Sequence, residues 1–501
     1  MRTSGAVALC CVACVACVAW VCACTRLENG DERFGAGGGG SSSNAAGSAA
    51  TGGEPLEGRG GGADAIGGLA SSGGGAGEGG EQSGTLCAPE GTRERLVVGA
   101  SGEVTLTGVT RWTCEADYQL ESNVFIASGA TLAIDPGVTI KLATNTMLLV
   151  ERGGRLEAVG TAKAPITFTS AKEPGKRDAG DHRGLILIGD GPSQSTTQPV
   201  YDSVNGARAN YGGGQAGDPN GSCGRLEFVR IQFGGGSIDD ASLPAGALTL
   251  AGCGAGTVVD HVQIHRATDG LGFLGGTVGV RHVLVSGTTL GEAVEWSAGY
   301  TGTMQFIVAQ TLGASAAMQG SNSVEDPEAS PISRPTIYNA TLVGIYDEAT
   351  GRTPPITGQH FGFNLQFGSR AVVKNSLVMG FADAGFDWDL EPAAASSQVG
   401  PGKAIDISHV LLFGNKTAYS SEAQLLSMMQ SMRTQNPGLL DAANPTDDGP
   451  DAVPVFSPTD PTVNIDVAAV PASFDPTAGF RGAVAQDGSD WTDGWTSYPN
   501  E

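Results

Sequence analysis

Short runs in which apolar and polar residues alternate recur along most of the chain beyond residue 86. Val124-Phe125-Ile126 is followed by Ser128-Gly129-Ala130-Thr131-Leu132. Twenty-four residues on, Leu148-Leu149-Val150 is followed by Arg152-Gly153-Gly154-Arg155-Leu156. A second pattern has five copies: Val259–Ile264, Val280–Val285, Ile337–Leu342, Val373–Val378 and Ile407–Leu412. Each copy reads as a short β-strand with period-two alternation, and four are closed by glycine (Gly287, Gly344, Gly380, Gly414). His261 and His282 lie 21 residues apart, and Asn339, Asn375 and His409 follow one another at 36 and 34, as inserted loops would produce. Strands repeated at such a period predict a solenoid, coil stacked on coil with apolar side chains inward and glycine at the corners. Leucine-rich repeats have similar periods, but their Leu and Asn lattice is missing. The predicted fold class is all-β, a right-handed parallel β-helix over residues 87–501, with the hand of parallel crossovers in general. Residues 420–433 (SSEAQLLSMMQSMR) are the one clear helical pattern, and a C-terminal cap is expected over about 420–501.

The first 86 residues follow other rules. Residues 5–23 form one apolar run behind Arg2, and polar sequence follows at once. This is the pattern of an export signal, although its length also suits an uncleaved anchor helix. Val21-Cys22-Ala23-Cys24 resembles a lipobox, with Cys22 where Ala or Ser is usual. The resemblance implies a signal peptide over 1–23, cleavage before Cys24 and acylation of Cys24. The chain is therefore expected to be exported and held by lipid at the outer membrane or cell surface. Residues 35–84 contain 21 Gly and no aromatic residue. Such a segment buries too little apolar surface to offset its chain entropy, so residues 24–86 are expected to form a flexible tether. Cys87, Cys114, Cys223 and Cys253 remain beyond it. In an exported chain they suggest two disulfides with three pairings open, the simplest being Cys87–Cys114 with Cys223–Cys253. No Cys-x-x-Cys occurs in the mature chain, which argues against zinc or redox chemistry.

Composition narrows the function. With 28 Lys+Arg against 52 Asp+Glu the formal charge is −24, which excludes the basic surface a nucleic-acid binder needs. Of 78 Gly, 57 lie outside the segment 35–84, mostly in the repeating region. A monomer is expected.

His261, His282 and His409 share a repeat position with Asn339 and Asn375, which predicts a polar stack at a coil corner. Asp269, Asp347 and Asp383 each lie eight residues after that position, and Glu292 lies ten after His282. Equivalent offsets put carboxylates at one corner of different coils, about 4.8 Å apart. Carboxylates that close repel unless a cation bridges them or their pKa rises. Hard oxygen ligands make Ca2+ the expected ion, with Glu295, Asp387 and Asp389 available to the same groove. Trp296 and Trp388, beside these acids, are candidates for stacking on sugar rings. Pairs such as Glu292 and Glu295 also fit the acid and base of a glycosidase. A lyase would need Ca2+ with an Arg or Lys base, for which Arg266 and Arg281 are the neighbours in sequence. No phosphate-binding loop, nucleophile elbow or His-Glu-x-x-His motif is present.

Residues 123–142 (NVFIASGATLAIDPGVTIKL) and 152–170 (RGGRLEAVGTAKAPITFTS) resemble the opening coils of bacterial surface β-helix lipoproteins. Gly184–Gly189, Gly224–Phe233 and Asp490–Thr496 extend the similarity over roughly 95–497. The resemblance implies a lipid-anchored surface β-helix with no established reaction. Where that family carries a dense acidic run, Gly287–Ala298 here keeps only Glu292 and Glu295. The function expected is a non-enzymatic surface protein whose partners are the membrane, through its lipid, and a polysaccharide or surface protein. The alternative is a polysaccharide lyase or glycoside hydrolase. Cys24→Ala is expected to abolish incorporation of labelled palmitate, and a variant that still labels would place the lipid elsewhere.

Overall fold

The computed structural model describes residues 87–88, 92–195, 206–236, 246–313, 315–355, 357–390, 397–439 and 454–499. The leader, Cys24 and the tether lie outside the described residues. The rest is the parallel β-helix that the repeats predict. Its strands form a fourteen-stranded and an eleven-stranded sheet, and every pairing between them is parallel. The repeat offsets are the register itself. Thr131 pairs with Arg155 and Val124 with Leu148, while Val259 and Val262 pair with Val280 and Val283. Cys87–Cys114 and Cys223–Cys253 are both formed.

The corner carrying the repeated His and Asn has a definite cause. In the early coils two separate strands make two sides: Arg155–Val159 and Ile166–Ser170. The strand Gly224–Gln232 joins those sides, pairing through Gly224–Glu227 with the first and through Val229–Ile231 with the second. Phe228 between them has φ 49°. The same left-handed bend recurs once per coil, at His261 (54°), His282 (49°), Phe306 (58°), Asn339 (54°), Asn375 (51°) and His409 (56°). For an L-residue such a backbone costs roughly 1–2 kcal/mol. Stacking offsets it: ring centroids lie 4.4 Å apart from Phe228 to His261 and from His261 to His282, and 4.7 Å from His282 to Phe306.

Two expectations change. Residues 420–433 hold only a single 3-10 turn, Gln424–Met428. An isolated helix of that length is marginal, and here tertiary contacts win. Ala423 and Leu426 are buried in the core, the Glu422 carbonyl accepts from Trp388 Nε1 at 2.8 Å, and Arg433 bridges Leu411. Nor is all of 420–501 a terminal cap. From 454 to 499 the chain runs back along the outside of the long sheet as a strap. Asn375 bonds Ala468, Gln305 bonds Asp475, Asn339 bonds Phe480, Gln263 bonds Ser497 and His265 bonds Pro499. Phe456, Val463, Ala483 and Val484 cover the outward Leu284, Val308, Val343, Leu377 and Leu411, forming a second apolar core.

Arg481 anchors the strap. Fully buried, it donates to the carbonyls of His409 (2.8 Å), Asp466 (3.1 Å) and Val463. Replacing it removes the donor from the buried bonds to the His409 and Val463 carbonyls, whereas Asp466 keeps a bond from Ser431 Oγ. Arg481→Met is therefore expected to lower stability by about 3 kcal/mol and to expose 454–499 to proteolysis, read by urea midpoint and by cleavage pattern.

Candidate functional site

One outer line of the eleven-stranded sheet is apolar in the early coils (Phe125, Leu149, Ile186) and loses that character from Thr249 on, where the inner line stays apolar. Leu248, Leu271, Val294 and Met318 stack inward, whereas Thr249, Gly272, Glu295 and Gln319 stack outward, and Asn364 and Asp387 continue the outer line. Leu271 pairs with Val294, so Asp269 and Glu292 occupy equivalent positions just before their strands. Glu295, three residues on, is the first outward side chain of the same coil. These three carboxyls meet.

Their surroundings raise them all. Burial, then the neighbouring Glu292, pushes Asp269 up to about 7. Burial raises Glu292, against a hydrogen bond from Ser315. Burial, then Glu292 and Asp269, lifts Glu295 well above the carboxylate range. Glu295 Oε1 is buried without a hydrogen-bond partner. Among the described residues, no Arg or Lys is among the charges acting on the three. Two glycines make the room. A Cβ on Gly291 would lie 1.5 Å from Asp269 Oδ1, so a larger residue there would displace the Asp269 carboxyl, and one on Gly272 would touch Glu295 Oε1 at 3.6 Å.

The other acids are elsewhere. Asp347 is on an exposed turn closed by Arg352 and Thr350, where the inserted loop carries it off the coil. Asp383 accepts from the His360 amide at 2.8 Å. It is three coils beyond Glu292, about 14 Å at 4.8 Å per coil. Asp387 shares Glu295's line, also three coils along, and Asp389 receives the Phe367 amide. Trp296 and Trp388 are 1 % exposed. Alternation turns both inward, where Trp296 Nε1 donates to Ser369 Oγ (3.0 Å), so neither can stack on a sugar. His182, in the charged stretch Asp181-His182-Arg183 that its sequence alone would place in a solvated loop, is fully buried. It accepts from the Gly184 amide at Nδ1 and donates from Nε2 to the Gln232 carbonyl, and burial lowers its pKa to about 4.

Sequence spacing missed Asp260. Its Oδ1 accepts from His261 Nδ1 (2.9 Å) and His282 Nδ1 (2.8 Å). Burial raises its carboxyl, but the two imidazoles outweigh this and hold it below the usual range. The available signal was the repeated pair of a charged residue and His, Asp260-His261 and Arg281-His282, one register step apart.

Residues 102–451 match the family model of the pectate-lyase-like β-helix domain. No curated protein and no solved structure matches the chain.

The unfolded Asp269 side chain loses its proton near 4 and the folded one near 7. Over that window the folded state binds the extra proton, so stability falls as pH rises through it. In chelator, Asp269→Asn is expected to stabilise the protein by about 2 kcal/mol at pH 8 and to match the parent at pH 4, as read from urea midpoints.

Proposed function

The chain belongs to the pectate-lyase-like β-helix family, and from that premise we propose an exported, lipid-anchored surface protein that binds an acidic glycan through Ca2+ at Asp269, Glu292 and Glu295 without cleaving it. The observation that carries this reading is the meeting of three desolvated carboxyls with no cationic side chain among the described residues to neutralise them. Ca2+ takes six to eight oxygen ligands, so three carboxyls leave positions for carboxylate and hydroxyl oxygens of a glycan. An elimination reaction needs a base beside the cation. Arg266 packs its stem near Gly287 instead, and Arg281 reaches toward Asp260 at 3.7 Å. The export and lipid parts of the proposal rest on residues 5–24.

One observation favours a second reading, a glycoside hydrolase. A carboxyl held at about 7, as in Asp269, keeps its proton near neutrality, as a general acid must. A spacing of one coil, about 4.8 Å, fits a retaining mechanism better than an inverting one.

With pectate as the probe polymer, millimolar Ca2+ is expected to raise the melting temperature and promote retention on the immobilised polymer. Stabilisation should reach about 3 kcal/mol at a hundredfold excess over Kd. Both effects should vanish in Asp269→Asn with Glu292→Gln. No Ca2+ effect on melting would sink the cation site. Release of reducing or unsaturated ends, lost in the same variant, would transfer the site to catalysis.

A further inference from the structure

We propose that Asp260, His261 and His282 form a binding site for a transition-metal dication of the Zn2+ class at the left-handed bend of two adjacent coils. The three offer ligand atoms that all lie within 4.8 Å of one another. His261 Nδ1 and His282 Nδ1 converge on one oxygen, Asp260 Oδ1, at 2.9 and 2.8 Å. The side chains keep 22–24 % of their exposure, so an ion can reach them.

The site is ordered before any ion arrives. Each bend has the same backbone, so the two rings stack at 4.4 Å and 25°. Phe228 closes one end of the stack at 4.4 Å and Phe306 the other at 4.7 Å. From the strap, Trp491 and Trp495 stand edge-on to His261 at 6.2 and 5.9 Å, and Trp491 to His282 at 5.3 Å. The electrostatic surroundings are mixed. Arg281 Nη2 is 3.7 Å from Asp260 Oδ2, with 54 % of its side chain exposed, and can turn into solvent. Asp475 of the strap feels Arg281 and His282 and adds negative charge to the same side.

The donor set selects the ion. Two imidazole nitrogens and one carboxylate oxygen favour Zn2+, Ni2+ or Cu2+ over Ca2+, which prefers oxygen alone. Three protein ligands leave a fourth position for water. In the metal-free protein each Nδ1 carries the proton that bonds Asp260. Coordination breaks those two hydrogen bonds, and each proton moves to Nε2 through solvent. Two metal–nitrogen bonds and one metal–oxygen bond form in their place. Bonds of about 2.0–2.1 Å to nitrogen require the rings to tilt together slightly.

The ladder supplies its own control, because phenylalanine already occupies this position at 228 and 306 and asparagine at 339 and 375. The full chain is titrated with ZnCl2 by calorimetry, with Ca2+ present to fill the carboxyl groove. One Zn2+ per chain is expected, with Kd below about 100 µM. His282→Phe and Asp260→Asn should weaken binding by about tenfold or more, while Asp269→Asn leaves it unchanged. If His282→Phe fails to fold, His282→Asn takes its place. Spin resonance of the Cu2+ form should show coupling to two nitrogens. Absent Zn2+ binding, equal affinity in the His282 and Asp260 variants, loss of binding in Asp269→Asn instead, or coupling to fewer than two nitrogens would each overturn the proposal.

Discussion

Parallel strands stacked in register bring every side chain to within about 4.8 Å of its counterpart one coil away. Everything else in this protein is adjusted to that constraint. Inside, like apolar groups stack on like, as Phe363 does on Phe386 at 4.7 Å. At the bend, what stacks must also offset a left-handed backbone. Flat groups do so: phenyl and imidazole rings from Phe228 to Phe306, then amides at Asn339 and Asn375 that reach the strap. The recurring His and Asn are thus a consequence of the backbone, and the exchange of Phe for His at the same position follows from the same geometry.

The constraint also explains the strap. A solenoid coil has an inner and an outer line, and an outer line in water should be polar. On the long sheet it is largely apolar from Leu284 on: Leu284, Val308, Leu377 and Leu411 share one outward line, broken by Thr341, and Val343 lies on the next, all five apolar groups fully buried. Burying this line needs a second layer, and 454–499 provides it. The layer has no strands of its own among the described residues. It is held by backbone bonds to ladder side chains and by one buried guanidinium that gathers carbonyls from the last bend and from the strap itself. Much of the polar ladder therefore binds the protein to itself.

How much of this was readable in the sequence follows the same division. The coil architecture was, because register conservation in a solenoid is spacing conservation in the chain: 24 residues from Val124 to Leu148, 21 from His261 to His282. The simplest disulfide pairing was readable for a similar reason, since each bridge closes a short loop. The strap was not, because a segment that adds no strand leaves no periodic trace. Within the site, Asp269 and Glu292 were found although counting from the ladder put them two residues out of step. Asp347 and Asp383 were misplaced by the same counting, since loops between bend and strand differ in length from coil to coil. Trp296 and Trp388 were misread because neighbours in a strand point to opposite faces.

Two places strain the stacking rule, and they differ in how the strain is met. At Asp260 one carboxylate sits beside two imidazoles, so the fold supplies complementary partners and the acid is held ionised. At Asp269, Glu292 and Glu295 three acids meet on two coils, and the fold answers them with the Glu292 backbone amide and hydroxyls from Thr268 and Ser315, none of them charged. Repulsion at one coil's spacing is then relieved by bound protons, which burial lets these carboxyls keep, and in the proposed function by a cation. Gly291 and Gly272 leave open the space that either remedy requires. A chain selected only for the stability of its coils has no reason to keep three acids there. Local rules broken without an internal compensation are where function is most often found, and on this molecule that reasoning separates the carboxyl groove from the many acids that are simply solvated.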